Sequence, residues 1–310
     1  MTPAPAHEPL VHILREGMTE SVHHGSVVVL RPDGSVLFEA GDPGSACYPR
    51  SAAKPVQATA MARLGLDLDP DLMALAAASH SGEEVHLDGV RRILSGAGLG
   101  EAGLRTPEDY PFDPVERDAW VAAGRKPSRI GHNCSGKHSA MLAVSRAHGW
   151  PLGDYLDPEH PLQQEIRRTV EALSGETVAK VATDGCGAPL FSVSLRGLTA
   201  AIGRVASGDG PERLVAQGIR KHPEMLAGSR RDVTWLMRAV PGLIAKDGFE
   251  AVQVAAMPDG TAIGIKIADG SDRARLPVLL GALALSGVDV PPHADANVRL
   301  VGELGQDTTR

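Results

Sequence analysis

Two Asp-Gly turns, one near each end of the chain, constrain the fold more than any other feature. Asp33-Gly34 separates Ser26–Leu30 from Ser35–Glu39, and Asp259-Gly260 separates Ala251–Met257 from Thr261–Ala268. An Asp-Gly pair between β-branched runs is a tight hairpin signal. The chain between the hairpins reads mostly as helix. Apolar spacing and start signals predict helices over Ser51–Leu64, Asp71–Ala78, Glu83–Leu94, a stretch after His138 ending at Ala147, Leu162–Leu173, Leu195–Ala206, Pro211–Lys221 and Arg231–Ala239. A closing helix is predicted at Leu276–Leu285, and a short strand near Val298–Leu304 ends a polar tail from Pro291. Strands at both ends and helices between predict an α/β fold of the α+β type: one antiparallel sheet built from both termini, flanked by helices, with a helical insertion. No composition break marks a linker, so residues 1–310 read as a single domain. Gly98–Lys126 carries no clear pattern.

The second hairpin has period-2 faces. Ile263, Ile265 and Ile267 share one; Ala262, Gly264, Lys266 and Ala268 share the other. A lysine on a face of small residues leaves room for a ligand. Trp235, inside a predicted helix, reads as core.

Hydrophobic residues make up 43% of 310, enough for a substantial core, and aromatics only 3%, so aliphatic side chains must fill it. The formal charge of −7 with no basic block argues against nucleic acid or an anionic membrane as the main partner. Met1–Glu8 lacks a charged start followed by an apolar run, and no stretch approaches the roughly 18 apolar residues of a membrane span, so a cytoplasmic location is expected. Three cysteines, an odd number, make a disulfide scaffold unlikely for a chain of this size.

Chemistry concentrates in a few short stretches. In Arg50-Ser51-Ala-Ala-Lys54-Pro55, a serine stands nearly one helical turn before a lysine. An alcohol needs a base within reach, and a partly desolvated lysine serves; the Ser-x-x-Lys pair solves this problem in penicillin-binding enzymes. Pro55 is tolerable in a first turn, which puts Ser51 at the helix N-terminus, where N–H groups and a positive dipole face an anionic centre. Ser81 with Glu84 reads as a capping box, leaving Ser79 of Ser79-His80-Ser81 as the better chemical candidate. In Asn133-Cys134-Ser135-Gly136-Lys137-His138, Ser135 can cap the next helix, and Cys134 and Lys137 lie three apart at its mouth. Thr183-Asp184-Gly185-Cys186 is a glycine-rich turn after the short strand Ala179–Ala182. Cys47 reads as a small packing residue.

These stretches, with His222-Pro-Glu-Met and Gly264-Ile-Lys266-Ile-x-Asp269-Gly270, occur in the order found in the L-asparaginase II family of Rhizobium-type enzymes. The chain resembles that family over nearly its whole length. The resemblance implies a serine β-lactamase/penicillin-binding-protein-like fold and hydrolysis of L-asparagine to L-aspartate and ammonia. It implies two Ser–Lys pairs, Ser51 with Lys54 and Ser79 with Lys266. Arg50, His80, Asp184 and His138 would bind substrate, and Cys134, Lys137 and Cys186 would hold a zinc ion that the core chemistry does not require. Two thiolates favour zinc, although lysine must be neutral to join them. Family members form homodimers.

The expected reaction is amide hydrolysis through an acyl-enzyme. Ser51 is favoured as nucleophile because its lysine is local and its helix start supplies donors, with Ser79 relaying protons. Two lysines in one pocket repel, so at least one should have a shifted pKa. A glutaminase, an esterase or a β-lactamase-like enzyme fits the same dyad. A non-catalytic amino-acid-binding protein keeps the fold but has no use for both Ser–Lys pairs.

Overall fold

The computed structural model describes residues 4–290, 292 and 298–305. The residues 1–3 of the start and most of the polar tail after Val290 lie outside them. The first strands are β1 (Glu8–Arg15), β2 (Met18–Leu30) and β3 (Val36–Ala40). Two small sheets follow, pairing β4 (Ala46–Cys47) with β7 (Val193–Ser194) and β5 (Val181–Thr183) with β6 (Pro189–Phe191). The last strands are β8 (Ile244–Gly248), β9 (Val252–Ala256), β10 (Ala262–Ile267) and β11 (Val298–Leu300). The main sheet runs β11-β1-β2-β10-β9-β8, with β3 also on β2, and every pair is antiparallel. Both chain ends therefore build one sheet, as the two hairpins predict. Both turns form: Gly34 and Gly260 adopt φ of 83° and 99°, which glycine enters at little cost.

Helices α1 (Lys54–Arg63), α2 (Pro70–Ala76), α3 (Glu84–Gly96), α4 (Pro114–Ala122), α5 (Ser135–Ala147) and α6 (Pro161–Ser174) come between. Then follow α7 (Leu195–Ser207), α8 (Pro211–Lys221), α9 (Pro223–Leu226) and α10 (Asp232–Ala239), with α11 (Arg275–Leu285) closing the chain. Helix α4, in the stretch without a clear pattern, starts at an Asp113 N-cap that accepts from Val115 N, with Pro114 at the first position. No helix among the described residues is long and apolar enough to cross a membrane.

Several expectations are corrected. Ile263, Ile265 and Ile267 are fully buried as expected, but the opposite face of β10 is not open. Helix α7 lies on it so tightly that a Cβ on Gly264 would come within 1.9 Å of Thr199 Oγ1. The small residues there admit a helix, not a ligand. Ser81 caps nothing: α3 has Glu83 at its N-cap, and Ser81 is buried against Gly228. Ser135 is inside α5 after an N-cap Cys134, and its hydroxyl donates to Ile130 O. Trp235 is 43% exposed on the outer side of α10 rather than core. The strand at Val298 ends at Leu300, short of Leu304.

Candidate active site

The strand pair β4–β7 pins the loop that delivers Ser51. The chain then turns through a 3-10 helix, Arg50–Ala53, that runs straight into α1. Arg50, just before the serine, holds φ of 50°, in a left-handed region that costs a non-glycine residue about 1 kcal/mol. Its guanidinium donates to Asp184 Oδ1 at 2.8 Å and sits 5.7 Å from the Phe249 ring, tying the start of α1 to the Asp184 loop.

Ser51 and Ser79 line one pocket with Phe112, Asn133, Arg231, Asp247, Gly248, Phe249 and Asp272. The edge strand β8 forms its other wall. Gly248 approaches so closely that an added Cβ would lie 2.9 Å from Ala52 N and 3.1 Å from Ser51 N. Only glycine lets β8 reach the start of the serine helix.

Lys54 is buried, but it does not pair with Ser51. Its ammonium has three acceptors: Ala78 O at 2.6 Å, Ser79 Oγ at 2.9 Å and Cys134 Sγ at 3.0 Å. The geometry therefore joins Lys54 to Ser79, and Ser51 Oγ has no hydrogen-bond partner among the described residues.

Lys266 does not join this cluster. Its Nζ donates to Glu250 O and Ile267 O, and the nearby thiol it senses is Cys47. Burial lowers its pKa. Burial also pushes the Cys47 thiol up to about 11. A different buried lysine, Lys246, lies on the edge strand β8. It stands two residues before Gly248 on β8, hence on the strand face that meets the serine helix. It is 1% exposed, and its Nζ donates to Asp247 O at 2.6 Å and Asp247 Oδ1 at 3.0 Å. Burial, opposed by Asp247 and helped by nearby Lys54, lowers its pKa to about 8. Burial pushes Asp247 upward, but Lys246, Arg231 and Arg275 together hold its carboxylate well below the usual range.

Sequence reading passed over Lys246, although Lys-x-Gly on a strand is the usual companion of Ser-x-x-Lys in penicillin-recognising enzymes. Lys246-Asp247-Gly248 was the available signal. Arg231 and Phe249 carried no motif that could have found them.

Beside the serines lies the thiol cluster. Lys137 Nζ donates to Cys186 Sγ at 3.3 Å. Contact with Cys134 first, and then Lys137, holds the Cys186 thiol well below its usual pKa, while the same contact and burial raise that of Cys134. Burial pulls Lys137 down, but the thiol charges outweigh it and its pKa is raised. One thiolate and one ammonium thus face each other where two sulfurs and an amine converge. That donor set fits a zinc ion that displaces their protons. Among the described residues no three His, Cys, Asp or Glu side chains cluster as metal ligands, and the third donor here is a lysine.

The remaining expected substrate residues divide. Asp184 and Arg50 are paired at the mouth of the thiol cluster. His80 and His138 are fully buried and contribute no wall to the serine pocket. His80 meets Ser135 Oγ at 2.8 Å and stacks on His86, and His138 meets the Tyr155 hydroxyl at 2.8 Å. Both sit inside the fold, and His138 also meets the Cys186 thiol of the cluster.

Comparison with known proteins follows this geometry. The sequence pattern of the L-asparaginase II family matches residues 11–306. None of the curated proteins matches the chain. Among solved structures, Mglu in its native form is similar at 15% identity and a TM-score of 0.43, covering 84% of this chain and 62% of its own. A β-lactamase from Mycobacterium bovis is similar at 15% identity and a TM-score of 0.43, covering 80% of this chain and 88% of its own. EstCE1, a hydrolase with promiscuous acyltransferase activity, is similar at 11% identity and a TM-score of 0.41, with 79% and 88% covered.

Proposed function

The chain belongs to the L-asparaginase II family, and from that premise we propose that it hydrolyses the side-chain amide of L-asparagine through an ester formed on Ser51. The observation that carries this reading is the pocket that Ser51 and Ser79 line together, with the buried Lys54 nitrogen 2.9 Å from Ser79 Oγ.

The lysines divide the proton work. Lys246 has two acceptors, and burial brings its pKa down to about 8, so it can stand neutral as pH rises through that value. Lys54 has three, which match an ammonium. Ser51 Oγ attacks the amide carbon and its proton passes to Lys246. The C–N bond breaks as Lys54 delivers a proton, through Ser79 Oγ, to the departing nitrogen, which leaves as ammonia. Water then attacks the ester. Its proton returns to Lys54, and Lys246 gives its proton back to Ser51 as L-aspartate leaves. The Ser51 N–H, beside Gly248 at the start of the serine helix, is the donor this reading assigns to the oxyanion.

We further propose that Cys134, Cys186 and a deprotonated Lys137 hold zinc. Bound there, the ion supplies positive charge that fixes the loops carrying Asn133 and Asp184. Adding Zn²⁺ to chelator-treated chain at about 100 times its Kd should raise the melting temperature by roughly 4 °C. The shift should vanish in Cys186→Ser; a shift of equal size there would remove zinc from this cluster.

The family reading includes a homodimer and a cytoplasmic protein. The direct test is ammonia release from L-asparagine and L-glutamine alongside hydrolysis of a simple ester and a β-lactam. Asparagine should exceed glutamine by about 10–200-fold in kcat/KM, the discrimination one methylene allows. Turnover of the ester or β-lactam without ammonia from either amide would overturn the asparaginase reading.

A further inference from the structure

The mechanism above uses serines and lysines and leaves one partly buried cation of the same pocket without a task. Arg231 lines the pocket, its guanidinium 4.9 Å from the Phe112 ring. Its Nη2 donates to Asp247 Oδ2 at 2.6 Å, but its Nη1 is buried with no hydrogen-bond partner among the described residues. A buried, unpaired guanidinium nitrogen is costly, because a charged donor has given up water for nothing. Structural ion pairing to Asp247 explains one edge of the guanidinium and not the other.

We propose that Arg231 Nη1 receives the α-carboxylate of the substrate, making Arg231 the residue that selects free α-amino acids over other amides. This deepens the asparaginase reading and rests on it for the identity of the substrate. The pocket wall supports the assignment with a second charge. Asp247 has both oxygens engaged, one by Lys246 and one by Arg231. Asp272 is different: its side chain is 74% exposed, and among the described residues only its Oδ1 is engaged, by Arg275 Nε at 3.1 Å. Arg231 and Asp272 together offer a cation and an anion to the zwitterionic end of an amino acid, while Ser51 and Ser79 address its amide. The planar fork of arginine suits a carboxylate in a way a lysine would not.

The experiment compares L-asparagine with 3-aminopropanamide, which is asparagine without its carboxylate. Arg231→Gln should lower kcat/KM for L-asparagine on the order of 100-fold more than for 3-aminopropanamide, mostly through KM, when both are read on the high-pH plateau where Lys246 is neutral in either enzyme. Arg231→Lys keeps a cation for Asp247 and guards against a simple loss of folding. It should lose about tenfold of the preference for L-asparagine with its melting temperature preserved. Equal losses on both substrates in either variant would overturn the proposal and leave Arg231 a support for Asp247. Titrating L-asparagine calorimetrically into Ser51→Ala, with and without Arg231→Gln, separates this question from turnover. Binding weakened by the second substitution supports the carboxylate contact even if the wild type releases no ammonia. Unchanged binding, or no binding in either, overturns it.

Discussion

Ser51→Ala is expected to lower kcat for ammonia release from L-asparagine on the order of 10⁴-fold while leaving the melting temperature within about 2 °C of wild type. The rate loss follows from removing the atom that forms the ester; knocking out a serine nucleophile removes most of an enzyme's chemistry and leaves only binding and oxyanion stabilisation. The small stability change follows from the geometry. Ser51 is 7% exposed at a pocket wall, and its hydroxyl has no hydrogen-bond partner among the described residues, so truncation orphans no donor or acceptor. Ser79→Ala should behave differently. It removes an acceptor from a buried ammonium, so it should cost both stability and a hundredfold or more in rate. Hydroxylamine trapping of the acyl group, read by mass spectrometry, identifies the serine. A Ser51→Ala enzyme that retains more than a tenth of wild-type activity would move the nucleophile to Ser79, the hydroxyl that already touches Lys54.

Lys246→Met should lower kcat/KM by about 10³-fold, within the range general base catalysis contributes, whereas Lys266→Met should stay within about threefold of wild type. The pH dependence supplies the sharper signature. Lys246 is lowered to about 8, chiefly by burial. Below that pH it is protonated and has no lone pair for the Ser51 proton, so activity is low. As pH rises through about 8 it becomes neutral and kcat/KM climbs to a plateau. The wild-type profile should therefore show a rising limb centred near 8, and Lys246→Met should lack it. A limb that survives in Lys246→Met and disappears in Lys266→Met would restore the lysine first suggested by the sequence.

The contrast between these lysines shows what was legible in the chain and what was not. The sheet was legible because both hairpins carry local turn chemistry, Asp33-Gly34 and Asp259-Gly260, that no tertiary context overrides. Ser51, Lys54, Ser79 and Cys134 stood out as short motifs, and in the fold Lys54 touches Ser79 and Cys134 while Ser51 lines the same pocket as Ser79. Which lysine partners which serine was not legible, because pairing depends on how β8 meets the serine helix. Ile244–Gly248 contains Lys246 and Asp247 side by side, which hides its strand pattern; their charges offset each other inside the fold. Lys266 misled because a face of Ala and Gly looks vacant in one dimension, while in three it is where α7 lies. Ser81 misled for a related reason. Glu83, not Ser81, precedes the first turn of α3, and its carboxylate accepts from Ser229 N across the fold at 2.7 Å.

Lys54 touches Ser79 and Cys134 with the same nitrogen, and the consequence reaches beyond the proton steps. Two contacts of 2.9 and 3.0 Å are all that separate a hydroxyl of the reaction pocket from a sulfur buried behind it. Whatever is done to that sulfur, by alkylation, oxidation or a metal, removes or reshapes one of the three resting places of the ammonium. The nitrogen must then lean more heavily on Ala78 O and Ser79 Oγ. The reacting end of the pocket is in this way tuned from its rear, by the chemical state of an atom the substrate never meets.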